Sequence, residues 1–166
     1  MNMPPVTPED YAPGYMLKAL NEFLARKLGA AITKKMTAEM GASELQLTTK
    51  NMGQGLNLLV MRYDAEFYWE RFPFKKFGVA TLYAMLGAWL MDYDNRDEYD
   101  LADPEVDVTI EDENNAELLI TVEFREPIMV VEDPDGLIEL SGKTYKIAPY
   151  EIWVAENFEQ EVSVNA

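Results

Sequence analysis

The chain has 166 residues, 48% hydrophobic and 27% charged, with a formal net charge of −16, a globular composition long enough to bury a core. It contains no histidine and no cysteine, which excludes disulfides, the usual zinc sites and Ser-His or Cys-His nucleophile pairs. No apolar run reaches the length of a membrane span, and the opening MNMPPVTPED lacks the basic start and apolar core of a secretion signal.

Residues 1–13 carry Pro4, Pro5, Pro8 and Pro13 and read as an extended arm. From Gly14 to Leu28 the spacing of Leu17, Leu20, Leu24 and Leu28, with Phe23 beside them, predicts a helix. Arg26 and Lys27 fall in its last turn, where the helix dipole favours cations, and Gly29 offers a stop. Ile32, Met36 and Met40 repeat at i+4 and predict a second short helix over 31–40, before Gly41. Leu45 and Leu47 then alternate with polar residues, and NMGQGLN turns the chain. A dinucleotide fingerprint would need a third glycine and a following helix, so NMGQGLN reads as a plain turn.

From Leu56 to Arg71 the alternation is the clearest in the chain. Leu59, Met61, Tyr63, Ala65, Phe67 and Trp69 take one face, while Arg62, Asp64, Glu66 and Glu70 take the other. Residues 45–70 therefore read as an antiparallel hairpin. Pro73 ends the strand, and VATLYAMLGAWLMD predicts a helix over 78–92 with a stripe of Val79, Leu82, Leu86 and Trp89 or Leu90. Residues 92–113 hold eleven acidic side chains and one basic. Val106, Val108 and Ile110 still alternate there, Asn114-Asn115 turns, and Leu118, Ile120, Val122 and Phe124 resume. Pro127 interrupts before Ile128 and Val130, as at a bulge or an edge. Asp133-Pro134-Asp135-Gly136 is a turn; Ile138, Leu140, Tyr145 and Ile147 form further strand, and Tyr150, Ile152 and Val154 a final one, or the same strand after Pro149. Residues 156–166 read as an acidic tail. The period changes at about 45 and 78 give an α+β class: one domain, an antiparallel or mixed sheet, and two main helices packed against it.

No standard catalytic constellation is present. Of Ser43, Ser141 and Ser163, none sits in a Gly-x-Ser-x-Gly turn, and no phosphate loop occurs. Asp64 and Glu66 share a strand face at a separation a glycosidase pair can use, but outward charges on a half-buried strand are ordinary. Asp92 and Asp94 match the first ligand positions of a calcium loop; Arg96, Asp97 and Asp103 then stand where an acceptor, a glycine and a glutamate are needed. The run reads as a solvated acidic connection, with Asp92, Asp94, Asp97, Glu98 and Asp100 as a candidate acidic surface.

Charge is uneven. Residues 1–91 hold ten basic and eight acidic groups, net +2, whereas 92–166 hold four and twenty-two, net −18. An acidic half keeps a protein soluble. It also suits a subunit with two unlike ends, because a head-to-tail ring uses two different patches on each copy. In MRYDAEFYWERFPFKKFG the basic aromatic knuckle supplies the anchors that interfaces favour, so Arg71, Phe72, Phe74, Lys75, Lys76 and Phe77, with Trp89, form the candidate subunit or tail interface.

In this order of elements the chain resembles the tail completion proteins of contractile-tailed temperate phages, the gene R product type, within the wider tail terminator group. The resemblance is carried by MRYDAEFYWERFPF, the helix ending AWLMDYDN, and VDVTIEDENNAELLITVEFREPIMVVED, and it covers roughly residues 14–147. The proline arm over 1–13, the helix at 31–40 and the extension after Ile147 lie outside the resemblance, so the chain divides into a 1–13 arm, a tail-terminator-like domain over 14–155 and a 156–166 tail. The resemblance implies no enzyme activity, no catalytic residues, no cofactor and no metal. It also implies a ring, usually of six copies, that caps the tail tube, ends its polymerisation and joins the tail to the head or neck. The partners would be further copies, the tail tube, the sheath protein and a neck or head-completion protein. The setting would be the virion, after assembly in the host cytoplasm, with no membrane. DNA would pass through the lumen without specific binding, helped by negative walls. The rival reading is an acidic protein-binding module, such as a DNA-mimic inhibitor, which would stay monomeric until it met a basic partner.

Overall fold

The computed structural model describes residues 6–9, 11–51, 53, 55–94 and 96–154. In chain order its elements are α1 (Tyr15–Leu28), α2 (Ala30–Thr33), β1 (Met36–Asn51), β2 (Leu56–Phe72), α3 (Val79–Tyr93), α4 (Arg96–Tyr99), β3 (Glu105–Ile110), β4 (Ala116–Glu132), β5 (Ile138–Leu140) and β6 (Lys143–Ile147). Six strands form one antiparallel sheet in the order β1-β2-β4-β6-β5, with β3 paired to the start of β4. Helices plus an antiparallel sheet make the fold α+β, as the changes of hydrophobic period predict. The chain forms two compact units, and β1, β2 and β4 each contribute residues to both.

In the first unit (residues 14–43 and 63–125, with Val6) the core forms where two alternating strands meet two helices. Tyr63, Ala65, Phe67, Trp69 and Phe72 of β2 are buried, as are Ala116, Leu118, Ile120, Val122 and Phe124 of β4. Tyr63 and Phe124 lie with ring centroids 5.9 Å apart. On this face α1 buries Leu20 and Leu24, and its Leu17 N–H donates to the Tyr63 hydroxyl at 3.1 Å. Helix α3 buries Leu82, Leu86, Trp89 and Leu90, with the Trp89 ring 6.4 Å from Phe124 and 6.2 Å from Phe23. Each such large apolar side chain contributes about 1.5–3 kcal/mol on burial. At Gly14, where α1 begins, φ is +96°, a backbone conformation that glycine reaches without a Cβ clash.

The helix expected over 31–40 is corrected. Only Ala30–Thr33 is helical, and Met36 and Met40 belong to β1. The i+4 repeat of Met36 and Met40 equally fits a period of two, with Ala38 between them, and that reading prevails. A second correction concerns β2. Val60 is buried at 1% exposure, while Leu59 and Met61 are half-buried, so the alternation slips phase between Val60 and Tyr63.

In the second unit (residues 7–13, 44–62 and 126–154 among those described) β4 runs on through Pro127 to Glu132. Its alternation breaks there too, because Met129 and Val130 are both buried. Val130, Val131 and Glu132 pair with Ile147, Lys146 and Tyr145 of β6, which pairs in turn with β5. The turn before β5 is held by the Asp133 carboxylate, which accepts the Asp135 N–H at 2.8 Å. Gly136 lies directly on the Tyr145 backbone, where any Cβ would collide. The final strand expected at Tyr150, Ile152 and Val154 is also corrected: residues 150–154 are helical. The Ile152 and Trp153 N–H groups both donate to the Pro149 carbonyl, at 3.1 Å. In the helix Tyr150 and Trp153 share a face. Tyr11 stacks on Trp153 with centroids 4.9 Å apart and meets the Tyr150 edge at 6.0 Å. Burial, reinforced by the Glu126 carboxylate, pushes the Tyr11 hydroxyl up to about 12. The expected tail over 156–166 and, of the expected arm, residues 1–5 and 10 lie outside the described residues.

Candidate assembly surfaces

The basic knuckle is built from the end of β2 and the turn before α3. Lys76 and Phe77 N–H groups donate to the Pro73 carbonyl at 2.9 and 3.1 Å, closing a tight reversal. Phe72 is fully buried, edge-on to Trp69 at 5.4 Å and to Phe77 at 6.5 Å. Trp89 is 3% exposed. Both therefore serve the core of the first unit, while Phe74 and Phe77 are half-buried and Lys75 and Lys76 exposed. Arg71 has a use within its own chain: it donates to Asp112 at 2.8 Å and to Glu111 at 3.5 Å. The structure thus joins the knuckle to the turn between β3 and β4. Asp112 organises that turn by accepting the Asn114 and Asn115 N–H groups at 2.8 Å. These bonds, the Asn114 N–H first and Arg71 among the others, hold its carboxyl below the usual range.

The acidic connection is clamped rather than loosely solvated. Arg96 pairs with Asp94 at 2.8 Å, donates to the Glu123 carbonyl on β4 at 2.7 Å and reaches the Ala102 carbonyl. The Arg125 guanidinium lies 4.0 Å from the Tyr99 ring centroid, a cation–π contact. Two of the four bases in the acidic half thereby fasten this segment to β4. Asp92 and Asp100 are exposed and Asp94 is half-buried; the side chains of Asp97 and Glu98 lie outside what the structure describes.

Sequence reasoning missed a third surface, the strand β3. Every one of its six residues is exposed. Val106, Val108 and Ile110 pair directly with Ile120, Leu118 and Ala116, so they lie on the same face of the sheet as those core residues. Yet they remain 41%, 43% and 65% exposed, while their partners are at most 2% exposed. The alternation marks them as inward-facing; only the structure reveals that nothing in the described chain covers them. At the opposite border of the sheet, β1 carries a similar surplus, with Met40, Leu45 and Leu47 exposed by 41%, 60% and 82%.

Comparison with known proteins gives the chain its family. A 31% identity over 111 residues links the chain to the "Uncharacterized 19.2 kDa protein in rep-hol intergenic region" of Haemophilus phage HP1 (strain HP1c1), covering 66% of this chain and 67% of that protein. No solved structure matches the chain. The family model described as P2 phage tail completion protein R (GpR) matches residues 14–149, from the glycine that opens α1 to the proline that follows β6. The chain therefore belongs to the P2 phage tail completion protein R (GpR) family, the structural proteins of the phage tail.

Proposed function

We propose that the protein closes into a ring, usually of six copies, which caps the tail tube, ends its polymerisation and joins the tail to the head. The observation that carries this reading is the family match over 14–149, which spans every strand of the sheet. The uneven charge and the uncovered apolar strand borders support it, since a monomer gains nothing from leaving Val106, Val108 and Ile110 in water. Tail tube, sheath and neck proteins are the partners of this reading, and DNA passes through the lumen. Net −18 on residues 92–166 would give that lumen walls that repel phosphate. Exposed Lys75 and Lys76, flanked by Phe74, supply one contact to a neighbouring copy or to the tube. Electron microscopy of the purified protein mixed with tail tubes tests the reading. Rings seated at tube ends, with tube lengths fixed by their addition, are expected. A protein that stays monomeric by light scattering and leaves tubes free to grow would overturn it in favour of an acidic binding module.

A further inference from the structure

The first unit presents two free sheet borders of opposite character. Its strands run β1-β2-β4-β3, so β1 and β3 each lack a strand neighbour on one side among the described residues. Such borders expose unpaired backbone N–H and C=O groups and template pairing unless they are blocked. On the β3 border, residues 103–113 contain Asp103, Glu105, Asp107, Glu111, Asp112 and Glu113 and no base. Leading to the β1 border, residues 23–38 contain Arg26, Lys27, Lys34 and Lys35 and no acid; the first acid is Glu39, exposed within β1. All four bases are exposed.

The charges match at the Lys34 and Lys35 end, while Glu39 would face Asp107 on the outer face; the apolar faces match along the strands. A Cβ on Gly14 would stand 3.4 Å from Met40, whereas one on Gly41 would strike Glu66. Met40 therefore points to the helix-covered face, and Gly41 to the outer one. By the period of two, Met36 and Ala38 share the face of Met40. That is also the face of Val106, Val108 and Ile110, fixed by their pairing with core residues of β4.

We propose that neighbouring copies join border to border, β1 of one against β3 of the next, so that the sheet of the first unit runs on across the subunit junction. The proposal rests on the ring reading above and specifies its contact. Adjacent strands alternate in direction, so β1 and β3 of one copy point oppositely and the junction is an antiparallel pair. This brings Lys34 and Lys35, just before β1, beside Glu111 and Glu113, just after β3. It lays Met36, Ala38 and Met40 beside Val106, Val108 and Ile110, covering the apolar row that the monomer leaves wet. Because the two borders differ, the contact is heterologous and can close only by rotation. Like borders would set lysine against lysine or acid against acid, which disfavours a symmetric dimer.

The chain has no cysteine, so introduced thiols give an unambiguous test. Thr37 and Thr109 are exposed, one on each border. The double variant Thr37→Cys with Thr109→Cys, treated with a short bismaleimide, should give a covalent ladder of two, three and more chains that stops at the ring size. Each single variant should remain uncrosslinked. A variant with Lys34→Glu and Lys35→Glu should associate about tenfold more weakly or worse. Adding Glu111→Lys and Glu113→Lys should restore association by placing unlike charges opposite each other again. Circular dichroism checks that each variant folds, and the thiol experiment stands even if the charge variants do not fold. Rings without a ladder would overturn this junction while leaving the ring reading intact. A single-cysteine variant that crosslinks as well as the double one would overturn it in favour of a symmetric contact. Folded wild-type protein that never associates, alone or with tubes, would overturn both proposals.

Discussion

Strands β3 and β4 are neighbours, antiparallel and equally regular in their alternation, yet every second residue of β4 from Ala116 to Glu126 is buried and none of β3 is. The difference lies in position. On the covered face β4 lies beside β2, beneath side chains of α1 and α3, whereas β3 lies one strand further out. Alternation in a sequence reports which way side chains point, and says nothing about whether anything covers them. The uncovered row is the surface that the proposed junction would cover.

The sharpest way to break this comparison is a matched pair of substitutions. Phe124→Ala should cost about 3–5 kcal/mol in urea unfolding, the range for emptying a large aromatic from a packed core. Val122→Ala should cost about 2 kcal/mol, from two lost methyl-sized groups at about 0.8 kcal/mol each plus a residual cavity. Val108→Ala, the same chemical change one strand over, should stay within about 0.5 kcal/mol for the isolated chain. An equal loss at Val108 and Val122 would mean that β3 is covered after all.

Two further tests probe what ties the strands together. Tyr68 on β2 donates to Glu117 on β4 at 2.7 Å, and this bond, ahead of desolvation, pushes its hydroxyl up to about 12. A raised value means that the neutral form is favoured on folding. The contribution is fully present below the unfolded value of 10.0 and is lost as pH rises through about 12. Tyr11 behaves alike for a different reason, burial. A tyrosinate absorbance titration should show part of the signal delayed beyond pH 10, and Tyr68→Phe and Tyr11→Phe should each remove a share of the delay. At the acid end, Asp112 has a lowered carboxyl pKa, so its stabilisation is present above the unfolded value and disappears as pH falls through the folded one. The stability gap between wild type and Asp112→Ala should therefore close at low pH. Arg71→Ala should have the smallest effect of these, under about 1 kcal/mol, because its ion pairs are half-exposed.

The main helices, the β3–β4 hairpin and the long strands through Trp69 and Phe124 were legible because each repeats one period over many residues. The start of β1 was not, because Met36 and Met40 satisfy both periods and no turn signal arbitrates. Residues 150–154 misled for the same reason: Tyr150, Ile152 and Val154 alternate, while Trp153, the residue that is buried beside Tyr11, falls between them. At the candidate surfaces, the sequence located the knuckle and the acidic run. The helix stripe already pointed Trp89 inward, but the sequence had no means of seeing that Phe72 is buried, that Arg71 is engaged by Asp112, or that Arg96 fastens the connection to β4. Those outcomes depend on residues far away along the chain, brought close only by the order of strands.

Trp69 and Trp89 belong to one compact unit and Trp153 to the other, and all three indoles are at most 3% exposed. The native chain should accordingly emit at short wavelength, and each unit carries its own built-in fluorophore. Replacing Trp153 by Phe leaves a reporter confined to the helix-covered unit, and replacing the other two leaves one confined to the unit with the Tyr11 clasp. Coincident denaturation curves from the two reporters would mean that the long strands transmit cooperativity from end to end. Separated curves would mean that each strand melts in two stages along its own length.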